Sequence, residues 1–207
     1  MAVGRGIEGA GRAVSFGPNV ADDDELRVCG DVRGKRVLEL GLHGPVPHCI
    51  SMVGRGAARA IAVDPSLEAI QRGRQAAANL GVVVEFHHAE IADLGFITTG
   101  SLDLALCIHQ IGYDTDFARI FRQVHRVLKP EAGFVLALVH PMSAVFDGAD
   151  PTARRRYGST TPTIGEIAMG LQRANFSIEV VHELPPRNAP HAVAPVVLVI
   201  RANKLGS

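Results

Sequence analysis

The chain has 207 residues, 47% of them hydrophobic and 20% charged, the profile of an ordinary soluble globular protein. Lys plus Arg and Asp plus Glu each number 21, so the formal net charge is zero and gives no electrostatic ground for a nucleic-acid or anionic-membrane partner. The expectation is therefore a small-molecule ligand and one domain large enough to need no staples, as a monomer or homodimer. Cys29, Cys49 and Cys107 are an odd number without metal-type spacing, set in apolar runs, and read as reduced thiols of a cytoplasmic protein. The first twenty residues lack a continuous hydrophobic stretch and do not read as a secretory signal, and no apolar run approaches ~18 residues.

Residues 1–15, rich in Gly, Ala and Arg, have no periodicity and read as a loose arm; 16–203 form the domain and 204–207 a tail. Asp22-Asp23-Asp24-Glu25 opens a short helix through Cys29, because acidic residues suit the positive end of the helix dipole. After a turn at Gly30–Gly34, Arg36–Gly41 is a short strand, 45–54 a connecting stretch and Ala60–Asp64 a second strand. Residues 66–80 place Leu67, Ile70, Arg74 and Ala78 at helical spacing and stop at Asn79-Leu80-Gly81. Val82–His87 and Leu102–Ile108 are the third and fourth strands. A helix over 115–128 sets Phe117, Ile120, Phe121, Val124, Val127 and Leu128 on one stripe, and Lys129-Pro130 ends it. Phe134–Val139 is the fifth strand.

Strands that are apolar throughout and alternate with helices pair in parallel, with helices on both faces. The C-terminal part differs: a helix over Pro162–Ala174 precedes strands at Ser177–His182 and Val193–Arg201 with no helix between them, which makes an antiparallel edge hairpin joined through 185–190. In such sheets ligands bind beyond the carboxyl ends of the strands. The residues to weigh are thus Glu39 to His43, Asp64-Pro65, His88 to Ile91, Cys107 to Tyr113 and His140-Pro141. An acid ending the second strand either accepts from ribose hydroxyls or caps the next helix. Among nine histidines, His43 and His48 are not an i, i+4 pair and have prolines between them, and the adjacent His87 and His88 point to opposite faces of a strand. No metal site is expected.

Val37-Leu38-Glu39-Leu40-Gly41, Ala62-Val63-Asp64-Pro65-Ser66, Glu90-Ile91-Ala92-Asp93-Leu94, Ser101-Leu102-Asp103-Leu104-Ala105 and Phe121–Pro130, in this order, resemble the class I S-adenosylmethionine-dependent methyltransferases over roughly residues 16 to 203. The resemblance is nearest to small stand-alone enzymes of actinobacterial type that act on small molecules. It implies a three-layer α/β fold with a seven-stranded mixed sheet, S-adenosylmethionine as cofactor and S-adenosylhomocysteine as product. Glu39 and Gly41 would then line the methionine end, Asp64 followed by Pro65 would hold the ribose, Glu90 would accept from the adenine amino group, and the Ile91 backbone would meet the ring. Cys107 to His109 would border the sulfonium, and Phe16-Gly17-Pro18, otherwise a simple turn, would fold over the cofactor.

The family's first loop keeps three glycines, where this chain reads Gly41-Leu42-His43-Gly44-Pro45. His43 sets an imidazole where the cofactor's carboxylate or ribose would pass, and Pro45 removes an N–H, though it suits a first helical turn. For O-methylation, histidine suits removal of a hydroxyl proton near neutral pH. His140 is the first expected base, with a strand-capping role as its structural alternative; His109 is the second, with Tyr113 as an orienting hydroxyl. Positioning alone also accelerates such a displacement. Arg154-Arg155-Arg156 is a solvated loop face or an acceptor-binding insert. The altered loop leaves a second reading open, a binding or regulatory protein without catalysis. A nicotinamide enzyme fits less well, because the loop lacks Gly-x-Gly-x-x-Gly.

Overall fold

The computed structural model describes residues 13–146, 150–189 and 191–206. The first twelve residues of the expected arm, and Ser207 of the tail, lie outside the described residues. The arm's remaining part is not loose: Val14 is fully buried and its carbonyl accepts from the amide of Asp23.

The elements are α1 (Asp23–Leu26), β1 (Arg36–Leu40), α2 (His48–Gly54), β2 (Arg59–Asp64), α3 (Leu67–Leu80), β3 (Glu85–His88), β4 (Leu102–Ile108), α4 (Phe117–Val127), β5 (Leu128–Val139), α5 (Ile164–Arg173), β6 (Phe176–Leu184) and β7 (Val197–Lys204). They build one seven-stranded sheet in the order β3-β2-β1-β4-β5-β7-β6. Strands β1 to β5 run parallel, and β7 is antiparallel to both its neighbours. The pleat sends Leu38, Leu40, Ile61, Val63, Ala105 and Cys107 into one core cluster with α4 and α5. Val37, Ala60, Ala62, Leu104 and Leu106 enter the other, with α2 and α3. This is the expected three-layer sandwich with its antiparallel region.

Local chemistry explains where element ends depart from expectation. Ser66 caps α3 by accepting from the Ala69 amide, and Gly81 closes it at φ +65°. The amide of Val82 then bonds back to the Ala77 carbonyl at 3.0 Å, so Val82 completes the helix cap and β3 starts only at Glu85. Strand β5 begins earlier than Phe134: Leu128 leaves α4 in extended conformation and pairs with Leu102 before an irregularity in the register. Strand β7 begins later than Val193, since Pro195 has no N–H to give a ladder. No helix stands between β3 and β4. There Leu94 and Ile97 fill the core, and the Arg126 guanidinium donates to both their carbonyls.

Candidate functional site

The chain runs outward from β1 through β2 to β3, then returns to β4 on the other side of β1, so strand order reverses between β1 and β4. The loops that leave these two strands flank the crevice where such sheets bind ligands. His43 from the first loop and His109 from the second pack against each other there, ring centroids 4.7 Å apart and tilted by 53°.

Glu39 is buried on β1, facing the α2 layer, and its two carboxylate oxygens accept from the amides of His48 (3.1 Å) and Cys49 (2.7 Å). Burial pushes its pKa up to about 7 against the lowering effect of those two amides, and the Asp64 charge adds to the rise. The carboxylate is therefore fixed to the start of α2. Gly41 follows with φ +72°, and its amide donates to the Val63 carbonyl. A Cβ there would stand 2.0 Å from Cδ of Gln110, whose side chain lies directly on this glycine. Only glycine allows that approach.

Asp64 ends β2 with 6% of its surface exposed. One oxygen accepts from the Leu42 amide at 2.6 Å and the other from Ser66 at 2.7 Å, which ties the loop after β1 to the start of α3. Each oxygen keeps a lone pair for a further donor. The carbonyl of the next residue, Pro65, accepts from Nε2 of His88 at 2.9 Å. Glu90 is exposed in the turn beyond β3, and Ile91 is half-buried against the core. Cys107 is fully buried in the α4/α5 cluster, where burial pushes its thiol up to about 12; its side chain points into the core and not to the crevice.

His109 adopts left-handed backbone torsions (φ +55°), and its amide donates to the Ala137 carbonyl. Its Nε2 lies 2.7 Å from the carbonyl oxygen of Phe16, and its Nδ1 is buried without a partner. Burial is the chief cause of its lowered pKa; the Phe16 carbonyl raises it and His43 lowers it further. Phe16 is fully buried, and a Cβ on Gly17 would meet His109 Nε2 at 3.6 Å, so the Phe16-Gly17 turn does reach the crevice.

His140 is placed differently from expectation. It is fully buried, its Nδ1 accepts from the Met142 amide at 3.1 Å, and its Nε2 lies 2.8 Å from a Glu183 oxygen. An Nδ1 that accepts leaves the proton on Nε2, which donates to the carboxylate. Both nitrogens are engaged, and neither is left to take a proton from an acceptor. Tyr113, on the loop after β4, is 62% exposed. In the 150–163 insert, Arg154 pairs with Asp150 at 2.6 Å and all three arginines are exposed.

Two residues at the crevice have no assigned role in the sequence: His48, weighed there only as a metal partner of His43, and Gln110, one member of the stretch from Cys107 to Tyr113. His48, the first residue of α2, is 6% exposed with Nε2 buried and unpartnered; burial, then His43 and His109, push its pKa down to about 4. Its one sequence signal is nearness to His43. Gln110 covers Gly41 and donates to the Ile108 carbonyl at 3.2 Å; its one sequence signal is its place just past the fourth strand. Among the described residues, no group of three or more His, Cys, Asp or Glu side chains is placed to hold a metal ion, and no helix is long and apolar enough to cross a membrane. A cavity of about 680 Å³ lies away from the crevice, between α4 and α5, lined by Phe117, Arg122, Met169 and Arg173 among others.

Comparison with known proteins bears on this geometry. Residues 37–131 match the family model of a methyltransferase domain. A segment of 102 residues is 30% identical to the ubiquinone biosynthesis O-methyltransferase of Neisseria meningitidis, covering 49% of this chain and 42% of that protein. An S-adenosylmethionine-dependent methyltransferase from Mesorhizobium loti is 26% identical and superposes with a TM-score of 0.73 over 87% of this chain and 96% of its own. The Burkholderia thailandensis 1,6-didemethyltoxoflavin-N1-methyltransferase, solved with 1,6-didemethyltoxoflavin and S-adenosylhomocysteine, shares the fold at 21% identity, with a TM-score of 0.61 over 89% of this chain and 75% of its own. By sheet order, by the matched segment and by these likenesses, the chain has the fold of the class I S-adenosylmethionine-dependent methyltransferases, and its residues 37–131 are similar to their methyltransferase domain.

Proposed function

We propose that this protein transfers the methyl group of S-adenosylmethionine to a hydroxyl oxygen of a small molecule, a sugar or another metabolite, in the cytoplasm. Neither nucleic acid nor a membrane takes part. The observation that carries this reading is Asp64: a nearly buried carboxylate at the end of β2, beside the switch point, oriented by the Leu42 and Ser66 amides and still able to accept from a diol. The Neisseria O-methyltransferase likeness supports oxygen as the acceptor atom.

The residues at the switch point fit the cofactor. Asp64 offers a diol receptor, and Gly41 bears no Cβ, so its backbone becomes a close-contact surface once the Gln110 side chain that covers it turns aside. When bound, S-adenosylmethionine supplies an electrophilic methyl group on a sulfonium, open to in-line attack. Asp64 holds the ribose, Glu90 receives the adenine amino group with the Ile91 amide at the ring, and Gly41 permits close contact along the ligand. The Phe16-Gly17 turn covers the crevice from the side of β7, since Gly17 also borders Val197. His140 braces the acceptor end by tying the loop after β5 to β6 through Met142 and Glu183. Positioning is then the main source of rate.

The Gln110 side chain on Gly41, together with His43 and Pro45 in the loop, favours a second reading, a cofactor-binding or regulatory protein of this fold without transfer. The two separate in one experiment: incubation with S-adenosylmethionine and a panel of hydroxylated metabolites, with S-adenosylhomocysteine release read by mass spectrometry. Release that depends on one acceptor class and is lost in Asp64→Ala supports the enzyme. Cofactor binding without release across the panel supports the second reading.

A further inference from the structure

Two ring nitrogens beside the switch point, Nε2 of His48 and Nδ1 of His109, are buried without a hydrogen-bond partner. Buried polar atoms nearly always find partners, and each exception asks for an explanation. The fold supplies none here. The amides at the start of α2 are held by Glu39, the Phe16 carbonyl takes the other nitrogen of His109, and His43 meets His109 only ring to ring.

The surroundings define what each nitrogen offers. A carbonyl oxygen only accepts, so Nε2 of His109 carries the proton and Nδ1 presents a lone pair. Burial holds both rings below the ordinary histidine range, so both are neutral at pH 7. A neutral lone pair beside the switch point, where the Asp64 carboxylate also lies, suits a cationic donor. Nothing fixes the His48 tautomer, so its Nε2 can carry the proton and donate to an anion. His109 is near enough to influence the His48 ring, and a cationic donor beside an anionic acceptor is the zwitterion of an α-amino acid.

We propose that His48 and His109 together receive the α-amino acid end of the S-adenosyl ligand, Nδ1 of His109 accepting from its ammonium and Nε2 of His48 donating to its carboxylate. This rests on the S-adenosylmethionine reading above. It explains how a loop reading Leu42-His43-Gly44-Pro45 holds a ligand without the missing glycines: buried imidazoles replace close backbone contact. His43, over His109, and Gln110, over Gly41, turn aside about their side-chain bonds as the ligand enters.

The test compares S-adenosylhomocysteine with 5′-methylthioadenosine, the same nucleoside thioether without the amino acid, by calorimetry on the full chain. The variants are His48→Leu and His109→Gln; the latter keeps a donor for the Phe16 carbonyl and takes the acceptor away from the Nδ1 position. Each should weaken S-adenosylhomocysteine binding by about tenfold or more, the scale of one lost charge-assisted bond, and change methylthioadenosine binding by less than about twofold. If a variant does not fold, the wild type still decides, since it should bind S-adenosylhomocysteine at least about tenfold more tightly than methylthioadenosine. Equal affinity for the two ligands overturns the proposal, as does equal loss of both in the variants. So does intact S-adenosylhomocysteine binding with lost turnover in His109→Gln, the mark of a base. A folded wild type that binds neither ligand overturns the S-adenosylmethionine reading itself.

Discussion

Nε2 of His109 lies 2.7 Å from the carbonyl oxygen of Phe16, a contact that joins the end of β4 to a segment 93 residues earlier. It holds the N-terminal turn at the switch point, and it decides which nitrogen of His109 bears the proton. The left-handed torsions of His109 are strained for a residue with a side chain, and the contact is one of the restraints that hold them. Nitrogen-15 spectra of the imidazoles should show His109 protonated at Nε2 and bare at Nδ1 at pH 7, with a titration midpoint below the ordinary histidine value because burial disfavours the cation. A proton on Nδ1 in those spectra would contradict the assignment.

His140 is expected to support the fold and not the chemistry. His140→Ala removes a fully buried ring, leaves the Met142 amide without its acceptor in a half-buried site and returns the exposed Glu183 carboxylate to solvent. The loss should be about 1–3 kcal/mol, or a fall in Tm of roughly 2–12 °C for a domain of this size. Cofactor affinity should be unchanged below that temperature, and turnover per folded molecule should stay within about threefold. A collapse of turnover at unchanged affinity and stability would return His140 to the role of base.

Glu39 and His48 should make opposite contributions to stability over the same pH range. Glu39 is raised from an ordinary 4.5 to about 7, so its folded form binds more protons than the unfolded chain between those values. Its stabilising share is full below pH 4.5 and is lost as pH rises through 7. His48 is lowered from 6.5 to about 4, so its share is full above pH 6.5 and is lost as pH falls through 4. Each is worth on the order of a few kcal/mol, and between pH 4.5 and 6.5 they offset. Urea midpoints should therefore rise with pH more steeply in Glu39→Gln than in the wild type, and fall with pH in His48→Leu. Identical pH slopes in all three proteins would show that neither group titrates as described.

Gly41 and Gln110 give a paired prediction. Gly41→Ala places a Cβ against the Gln110 amide at φ +72°, so the variant should lose about 1–2 kcal/mol of stability and bind no S-adenosylhomocysteine. Gln110→Ala clears the same space from the other side and should tighten binding several-fold. Weaker binding in Gln110→Ala would mean that this side chain holds the ligand and does not merely lie where it enters.

Much of the frame is legible along the chain. Strand β4 runs from Leu102 to Ile108 as its apolar run predicts, and Ser66 and Gly81 bound α3 as a cap and a left-handed stop should. Long-range pairing is what the linear pattern conceals. Val82 looks like strand sequence, yet its amide closes the preceding helix. His140 reads as a histidine at an active edge until Glu183, on a strand two elements later, accepts the hydrogen bond of its Nε2. His48 and Gln110 acquire meaning only because β1 and β4, distant in sequence, become neighbours and bring His109 to one and Gly41 to the other. The acid at the end of β2 is visible in the sequence, but its orientation by the Leu42 and Ser66 amides is a property of the fold.

The central claim is that the crevice between β1 and β4 binds an S-adenosyl ligand through Asp64. Parallel calorimetric titration of the wild type and Asp64→Ala with S-adenosylmethionine, S-adenosylhomocysteine and NAD tests it most directly. Expected are micromolar binding of the first two by the wild type, none of NAD, and a loss of about tenfold or more in the variant, the scale of a lost charge-assisted hydrogen bond. No heat with either S-adenosyl ligand from folded wild-type protein, or equal affinity in Asp64→Ala, would contradict it.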